Sequence, residues 1–402
     1  MKIAIAIPTF NRVEYLKNAV QSVLDQSQEE DIDLYIVISN IASTDGTTAY
    51  LEQLNKDHET VIIYNQPEDN RIYPNPYFLA SVIPEDIDWV WLMGDDDYLT
   101  QKNSVQIVSE HIKKYQGKDL CFLHACQGRR SRSTGQVRVA EIFDLCNELG
   151  YHEMLGWFSS IVLRRNEFVA SMNTLRETHH YMRSDTLEGR SNYSAFAHSA
   201  AIYKQCVGKM SLFVDLPLAE SQDQKPTEET AKRWAVENTS ERYLFVADDL
   251  QRLREMGLIK HNYSRAFFKY LNWNFWDIWL LHLTSELINK KKAEQKFGFH
   301  FSMNPFDEDK TSATYDSEKF LTDWNKKLDR IMKVADFMEN KTDSKNLSIL
   351  YVSLKYAVNK LVQSNFSDEF VMSMLADQIK MLTVPCHDFE ILNLDKDTSG
   401  SL

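Results

Sequence analysis

Residues 1–100 alternate between short apolar runs and amphipathic segments. "IAIAI" (Ile3 to Ile7) is unbroken, the pattern of a strand buried on both faces. From Val13 to Gln26, Leu16, Ala19, Val20, Val23 and Leu24 recur at threes and fours, which predicts a helix with one apolar face. "DLYIVIS" (Asp33 to Ser39) is a second strand, and "TDGTTAYLEQLNKD" turns into a second helix that Thr44 or Asp45 can cap. "VIIYN" (Val61 to Asn65) and "WVWLM" (Trp89 to Met93) are the third and fourth strands. Strands separated by helices predict an α/β, Rossmann-like architecture, a mostly parallel sheet sandwiched by helices. Ligands collect beyond the carboxyl ends of such strands. Three polar clusters sit there: "PTFNR", "SNIASTDGT" and "GDDD".

Further along, the spacing predicts a helix from about Asn103 to Tyr115 and a strand over "LCFLHA" (Leu120 to Ala125). "CQGRRSRSTGQVRV" (Cys126 to Val139) is basic and short of apolar residues, which suits an exposed loop or a hairpin arm. "WFSSIVLRR" (Trp157 to Arg165) fits a strand on the side of the carboxylates, and "LAESQDQKPTEET" (Leu218 to Thr230) reads as a loop. From Glu229 onward the pattern is helical, giving two domains, 1–225 and an all-helical C-terminal 229–402. Within the second, residues 267–283 crowd Phe267, Phe268, Tyr270, Trp273, Phe275, Trp276 and Trp279 together. That segment suits a helix core or inter-domain face, or else an acceptor, membrane-interface or oligomerisation surface.

Composition narrows the function. Lys and Arg number 45 against 58 Asp and Glu, a formal charge of -13, which argues against nonspecific nucleic-acid binding. The five cysteines, Cys121, Cys126, Cys146, Cys206 and Cys386, form no zinc or CxxC spacing. A reducing, cytoplasmic setting is the simple expectation. "MKIAIAIPTFNR" is too short in its apolar run for a signal peptide, and no uninterrupted apolar stretch reaches transmembrane length.

The acidic triplet Asp95, Asp96 and Asp97 ends the strongly apolar fourth strand. Both a solvated turn and a divalent-cation site fit, and hard carboxylate oxygens suit Mg²⁺ or Mn²⁺. On an extended chain, alternation would send Asp95 and Asp97 to one side and Asp96 to the other.

In order, "IAIPTFNRVEYLKNAVQSVLDQ", "SNIASTDGT" and "WLMGDDDYL" resemble the family 2 inverting nucleotide-sugar glycosyltransferases of the GT-A fold. The resemblance is strong over about residues 1–125 and looser to about 215, with the acceptor side beginning near 126. It implies a nucleoside diphosphate sugar donor, a UDP-sugar by default, and a glycan or lipid-linked acceptor in surface polysaccharide or glycoconjugate synthesis. It places Pro8, Thr9, Asn11 and Arg12 against the nucleotide, with Arg12 at a phosphate. Asn40 stands where the family carries a base-recognising aspartate. Asp97 with Asp95 would bind Mn²⁺ or Mg²⁺ (a DXD-type motif), the remaining carboxylate facing the ribose. If Asp96 and Asp97 are the family's final pair, Gly94 replaces its first aspartate, so the register stays open between Asp95 and Asp96. Asp45 is a turn and cap residue rather than a ligand, with Gly46 relieving the turn.

Inversion needs a base at the acceptor hydroxyl. The family's Glu-Asp pair is absent; Asp185 lies at a suitable separation, with Glu188 and Asp215 as alternatives. His198 fits a structural hydrogen bond better than base work. The resemblance also implies a chain working at the inner face of the cell membrane, with residues 267–283 as a peripheral membrane or homo-oligomer contact. Two other readings stay open: a nucleotidyltransferase acting on sugar phosphates, although "PTFNRVEYL" lacks its Gly- and Lys/Arg-rich loop, and a catalytically inactive nucleotide-binding or assembly module.

Overall fold

β1 (Lys2–Thr9) lies at the centre of the amino-terminal half of the sheet, and Ile3 to Ile7 are all 0% exposed. A strand with no polar side chain in its middle has no face to offer water, so both faces are covered. The structure, a computed structural model, describes residues 1–222 apart from 28–29, 67–74, 129–130, 132 and 182–195. It further describes residues 249–250, 252–260, 267, 322, 356, 359–360 and 363. The chain divides into two units, Met1–Gln224 and Lys225–Leu402. In the second, residues 252–255 are helical and Leu250, Leu253, Ile259 and Phe267 are buried. The rest of the aromatic segment 268–283 lies outside the described residues.

The first unit opens with alternating elements: β1, α1 (Val13–Leu24), β2 (Asp33–Ile41), α2 (Thr47–Asp57), β3 (Val61–Gln66), α3 (Pro76–Val82) and β4 (Trp89–Leu92). α1 buries Leu16, Ala19, Val20 and Val23, the face its spacing predicts. Each of its larger side chains contributes on the order of 1.5–3 kcal/mol by leaving water. The four strands run parallel in the order β3-β2-β1-β4. β1 therefore has β2 on one side and β4 on the other, and the crevice at their carboxyl ends is where a ligand can enter.

The second half makes the sheet mixed. It contains β5 (Asp97–Leu99), α4 (Ser104–Lys114), β6 (Leu120–Gln127), β7 (Val137–Glu141), α5 (Ile142–Leu149) and α6 (Tyr151–Leu155). β8 (Ile161–Arg164), α7 (Arg165–Tyr181), α8 (Ala197–Cys206) and β9 (Met210–Ser221) follow. The order continues β4-β8-β6-β9-β5, with β7 on β9. β8 is antiparallel to β4 and β6, β9 is parallel to β6, and β5 and β7 are antiparallel to β9.

Two local expectations change. Leu218 to Ser221 are the end of β9 and not the start of a loop. Leu218 and Ala219 are fully buried, with Ala219 opposite Leu99 and Gln127, so pairing overrides the polar flank. The basic stretch also differs from an exposed loop or a hairpin arm: Cys126 and Gln127 end β6, and Val137 to Val139 belong to β7, which pairs with the distant β9 and not with β6.

Candidate active site

Short polar segments become a site because hydrogen bonds tie their loops together. After β1, Asn11 takes a left-handed backbone (φ 52), a conformation that asparagine tolerates better than most residues. Its amide donates to Ser43 Oγ (2.9 Å), and its side-chain oxygen accepts from the Thr44 amide (2.7 Å). Asp45 accepts from the amides of Val13 (3.0 Å) and Thr47 (3.1 Å), the first residues of α1 and α2. One carboxylate thus satisfies a free N–H at the start of each helix. Burial pushes its pKa up, but the bonds from Thr47 and Val13 outweigh that and leave it lowered. Gly46 has φ 96, the left-handed conformation that glycine adopts without strain.

Asn40 is fully buried. Its Nδ2 donates to Thr48 Oγ1 (3.0 Å) and Asn65 Oδ1 (2.9 Å), and its Oδ1 accepts from Ser43 Oγ (2.5 Å). These bonds brace the loop after β2 against β3. Asn75, which the sequence did not single out, donates to the carbonyls of Thr9 (2.9 Å) and Ser39 (3.0 Å) and so joins the ends of β1 and β2.

The acidic triplet follows β4. The Asp97 amide donates to the Gly94 carbonyl (3.2 Å), so the chain makes a turn there and does not run extended. The expected alternation of the three side chains is therefore lost. Asp95 is 7% exposed; Thr9 Oγ1 donates to its Oδ2 (2.8 Å) and Arg12 to its Oδ1 (3.2 Å). Arg12 also donates to Asp96 Oδ2 (2.5 Å). Asp97 is 4% exposed and points elsewhere, its Oδ2 accepting the Ser159 hydroxyl. It also bonds the side chain of Ser221, its partner across β5 and β9.

Charge and burial compete here. Burial pushes Asp95 up to about 6, against the nearby Arg12 charge, and Asp96 adds to the rise. Burial and then the Asp96 charge push Asp97 up to about 7, against the hydroxyls of Ser159 and Ser221. For Arg12 burial favours the neutral form, but Asp95 and Asp96 together overcome it and raise its pKa.

Gly94 shows which carboxylates converge. A Cβ placed on it would stand 2.7 Å from Asp97 Oδ2 and 2.8 Å from Asp96 Oδ1. These two oxygens close on a half-buried space that any side chain would fill. Both oxygens of Asp95, by contrast, already have protein partners. Two carboxylate oxygens fit Mg²⁺ or Mn²⁺, which usually take one or two carboxylates and complete their shell from phosphates and water. No cluster of three or more His, Cys, Asp or Glu side chains able to hold a metal occurs among the described residues.

Of the other carboxylates predicted from sequence, Asp185 and Glu188 lie outside the described residues. Asp215 is 6% exposed on β9 and accepts from Ser131 Oγ (3.1 Å) and Thr134 Oγ1 (2.5 Å). Pro8 sits half-buried in β1. Ser159 and Ser221 were not predicted, because nothing local distinguishes a serine that will meet a carboxylate from a distant segment.

Residues 4–152 match the family model of glycosyl transferase family 2. A curated relative, the abequosyltransferase RfbV of Salmonella typhimurium, is 36% identical over 121 residues, 30% of this chain and 35% of that protein. The chain thus matches about a third of that relative's length. Among solved structures, S. aureus TarS 1-349 in complex with UDP-GlcNAc aligns over 95% of this chain and 90% of its own, at 11% identity and a TM-score of 0.49. A mannosyltransferase from Pyrobaculum calidifontis, PcManGT in complex with GDP-Man and Mn²⁺, aligns over 96% and 88%, at 10% identity and a TM-score of 0.43. Likeness at that level is compatible with many activities.

Proposed function

Residues 4–152 form a glycosyl transferase family 2 domain, and from that premise we propose that the protein moves a sugar from a nucleoside diphosphate sugar to a hydroxyl with inversion. The observation that carries this reading is the Gly94–Asp97 turn at the carboxyl end of β4, where oxygens of Asp96 and Asp97 face one space beside Arg12. Asp96 and Asp97 would hold the divalent cation, with Asp95 fixed behind them by Thr9 and Arg12. The bound cation supplies positive charge to the leaving diphosphate.

In the transfer, the acceptor oxygen bonds to the anomeric carbon while the bond from that carbon to the diphosphate oxygen breaks. The acceptor proton passes to a base, and the nucleoside diphosphate departs. Asp185 is the proposed base, with Glu188 and Asp215 as alternatives; Asp215 would first have to give up its bonds to Ser131 and Thr134. The loop Pro8–Arg12 is proposed to lie along the nucleotide, with Arg12 the cation nearest the diphosphate. Asn40 would act on the base of the nucleotide through the loop it braces. A uridine donor is the default, and a glycan or lipid-linked sugar is the proposed acceptor.

The relative's name, an abequosyltransferase, supports sugar transfer. No helix among the described residues is long and apolar enough to cross a membrane. Work at the cytoplasmic face, with residues 267–283 as a membrane or subunit contact, is part of the proposal. Cys121, Cys126, Cys146 and Cys206 are all buried inside the first unit, which suits a reducing setting.

Calorimetric titration with UDP, GDP and CDP, with and without Mn²⁺, tests the donor site. Metal-dependent binding of one of them is expected, and no binding under any condition refutes the reading. Product analysis tests the reaction: release of a nucleoside diphosphate is expected, whereas pyrophosphate would mean nucleotidyl transfer.

A further inference from the structure

Asp97 is held from outside the segment that matches the family. Ser159 lies seven positions past the end of that match, in the turn before β8, and is 0% exposed. Its hydroxyl oxygen accepts the Gly94 amide (2.8 Å) while its proton goes to Asp97 Oδ2. Its carbonyl accepts from Trp91 Nε1 (2.8 Å), and Trp91 is itself fully buried in β4. Ser159 is therefore locked to the strand that carries the acidic turn. It grips the turn at both ends, the Gly94 N–H and the Asp97 carboxylate.

This arrangement has a specific consequence for a cation ligand. A carboxylate on a single-bonded stem can rotate, and each alternative orientation it keeps weakens a metal site that needs fixed oxygens. The Asp97 Oδ2 that Ser159 holds is also the oxygen 2.7 Å from the Cβ position of Gly94. Ser159 thus fixes the oxygen that, with Asp96 Oδ1, faces the shared space.

We propose that Ser159 is the positioning residue that presents Asp97 to the divalent cation of the donor complex. The inference rests on the glycosyltransferase reading above. It adds that the donor site is completed by the segment leading into β8, beyond the matched domain.

The test uses the full 402-residue chain. Mn²⁺ is titrated in the presence of whichever of UDP, GDP or CDP the wild type binds, and thermal unfolding is followed in the absence of metal. Ser159→Ala is expected to weaken Mn²⁺ affinity by about tenfold or more, the usual effect of removing an outer partner of a metal ligand. Metal-free unfolding should move far less. Ser159→Thr and Ser159→Val have nearly the same shape and differ in the hydroxyl, so Thr should retain more of the Mn²⁺ affinity than Val. Equal Mn²⁺ affinity in Ser159→Ala and wild type overturns the inference while leaving the donor reading intact, as does a Val variant that matches Thr. Loss of folding in all three variants makes Ser159 a packing residue and also overturns it. If the wild type shows no Mn²⁺-dependent nucleotide binding, the donor reading fails and this inference fails with it.

Discussion

Gly94→Ala places a methyl group into the space that Asp96 and Asp97 share. The new carbon would stand 2.7 Å from Asp97 Oδ2, 2.8 Å from Asp96 Oδ1 and 3.3 Å from Asp97 Cγ, whereas ordinary contact begins at 3.4 Å. Both oxygens must recoil by several tenths of an ångström. On a free surface side chain such a shift would be cheap. Here Asp97 Oδ2 is bound by Ser159 in a site only 4% exposed, and the other oxygen of Asp96 is bound by Arg12 at 2.5 Å. Recoil stretches a buried bond to a charged group, worth about 1.5–3 kcal/mol when intact. Overpacking a tight site costs about 1–3 kcal/mol by a separate route. The two overlap, because moving the carboxylates relieves the clash, so about 2 kcal/mol of destabilisation is expected. Metal-supported nucleotide affinity should fall by about 10- to 100-fold, because the moved oxygens are the proposed ligands. Urea denaturation read by circular dichroism gives the first quantity and calorimetry with UDP and Mn²⁺ the second. Gly117→Ala is the matched control: its Cβ would meet nothing within 4 Å, and a change within about 0.5 kcal/mol is expected. A Gly94→Ala protein with wild-type stability and wild-type Mn²⁺-supported binding would refute the account of this space.

Asp97→Asn should leave the apo fold as stable as wild type or more so, since it removes a buried charge, yet abolish Mn²⁺-supported nucleotide binding in calorimetry; retained binding would move the metal to other residues. Asp45→Ala removes the acceptor for the Val13 and Thr47 amides; a loss of about 1–2 kcal/mol in urea denaturation is expected, and no loss would mean that water replaces it fully. Burial between Phe158 and Phe196 pushes His198 down to about 4, against its bonds to the backbone of Leu155 and Gly156. Its folded pKa is thus below its unfolded one, so its neutral form contributes stability that is complete above about pH 6.5 and is lost as pH falls towards 4. Replacing it in His198→Gln should flatten the stability-pH curve across that window by at most about 1.4 kcal/mol per pH unit; an unchanged slope would show that another group titrates there. Asp185→Asn should leave donor binding near normal while turnover falls by a factor on the order of 100 or more; near-normal turnover would remove Asp185 as the base.

The sequence by itself determined the parts of this protein that depend on near neighbours. An unbroken "IAIAI" can only be satisfied inside a covered sheet, and Leu16, Ala19, Val20 and Val23 fall on one side of any helix. The position of "GDDD" after a strand as apolar as Trp89–Leu92 placed charge at a strand end, and the spacing of Asp45, Gly46 and Thr47 marked a helix start. Tertiary structure decided what the carboxylates face. The turn that replaces an extended run, Arg12 reaching across 84 positions to Asp96 and Ser159 across 62 to Asp97, are set by which strands end side by side. Likewise, the polar flank of Leu218 and Ala219 reads as a loop until β5 and β6 pair with it. Periodicity records which face of an element is buried, but a hydrogen bond between distant loops leaves no periodic trace, so the arrangement of the site belongs to the fold.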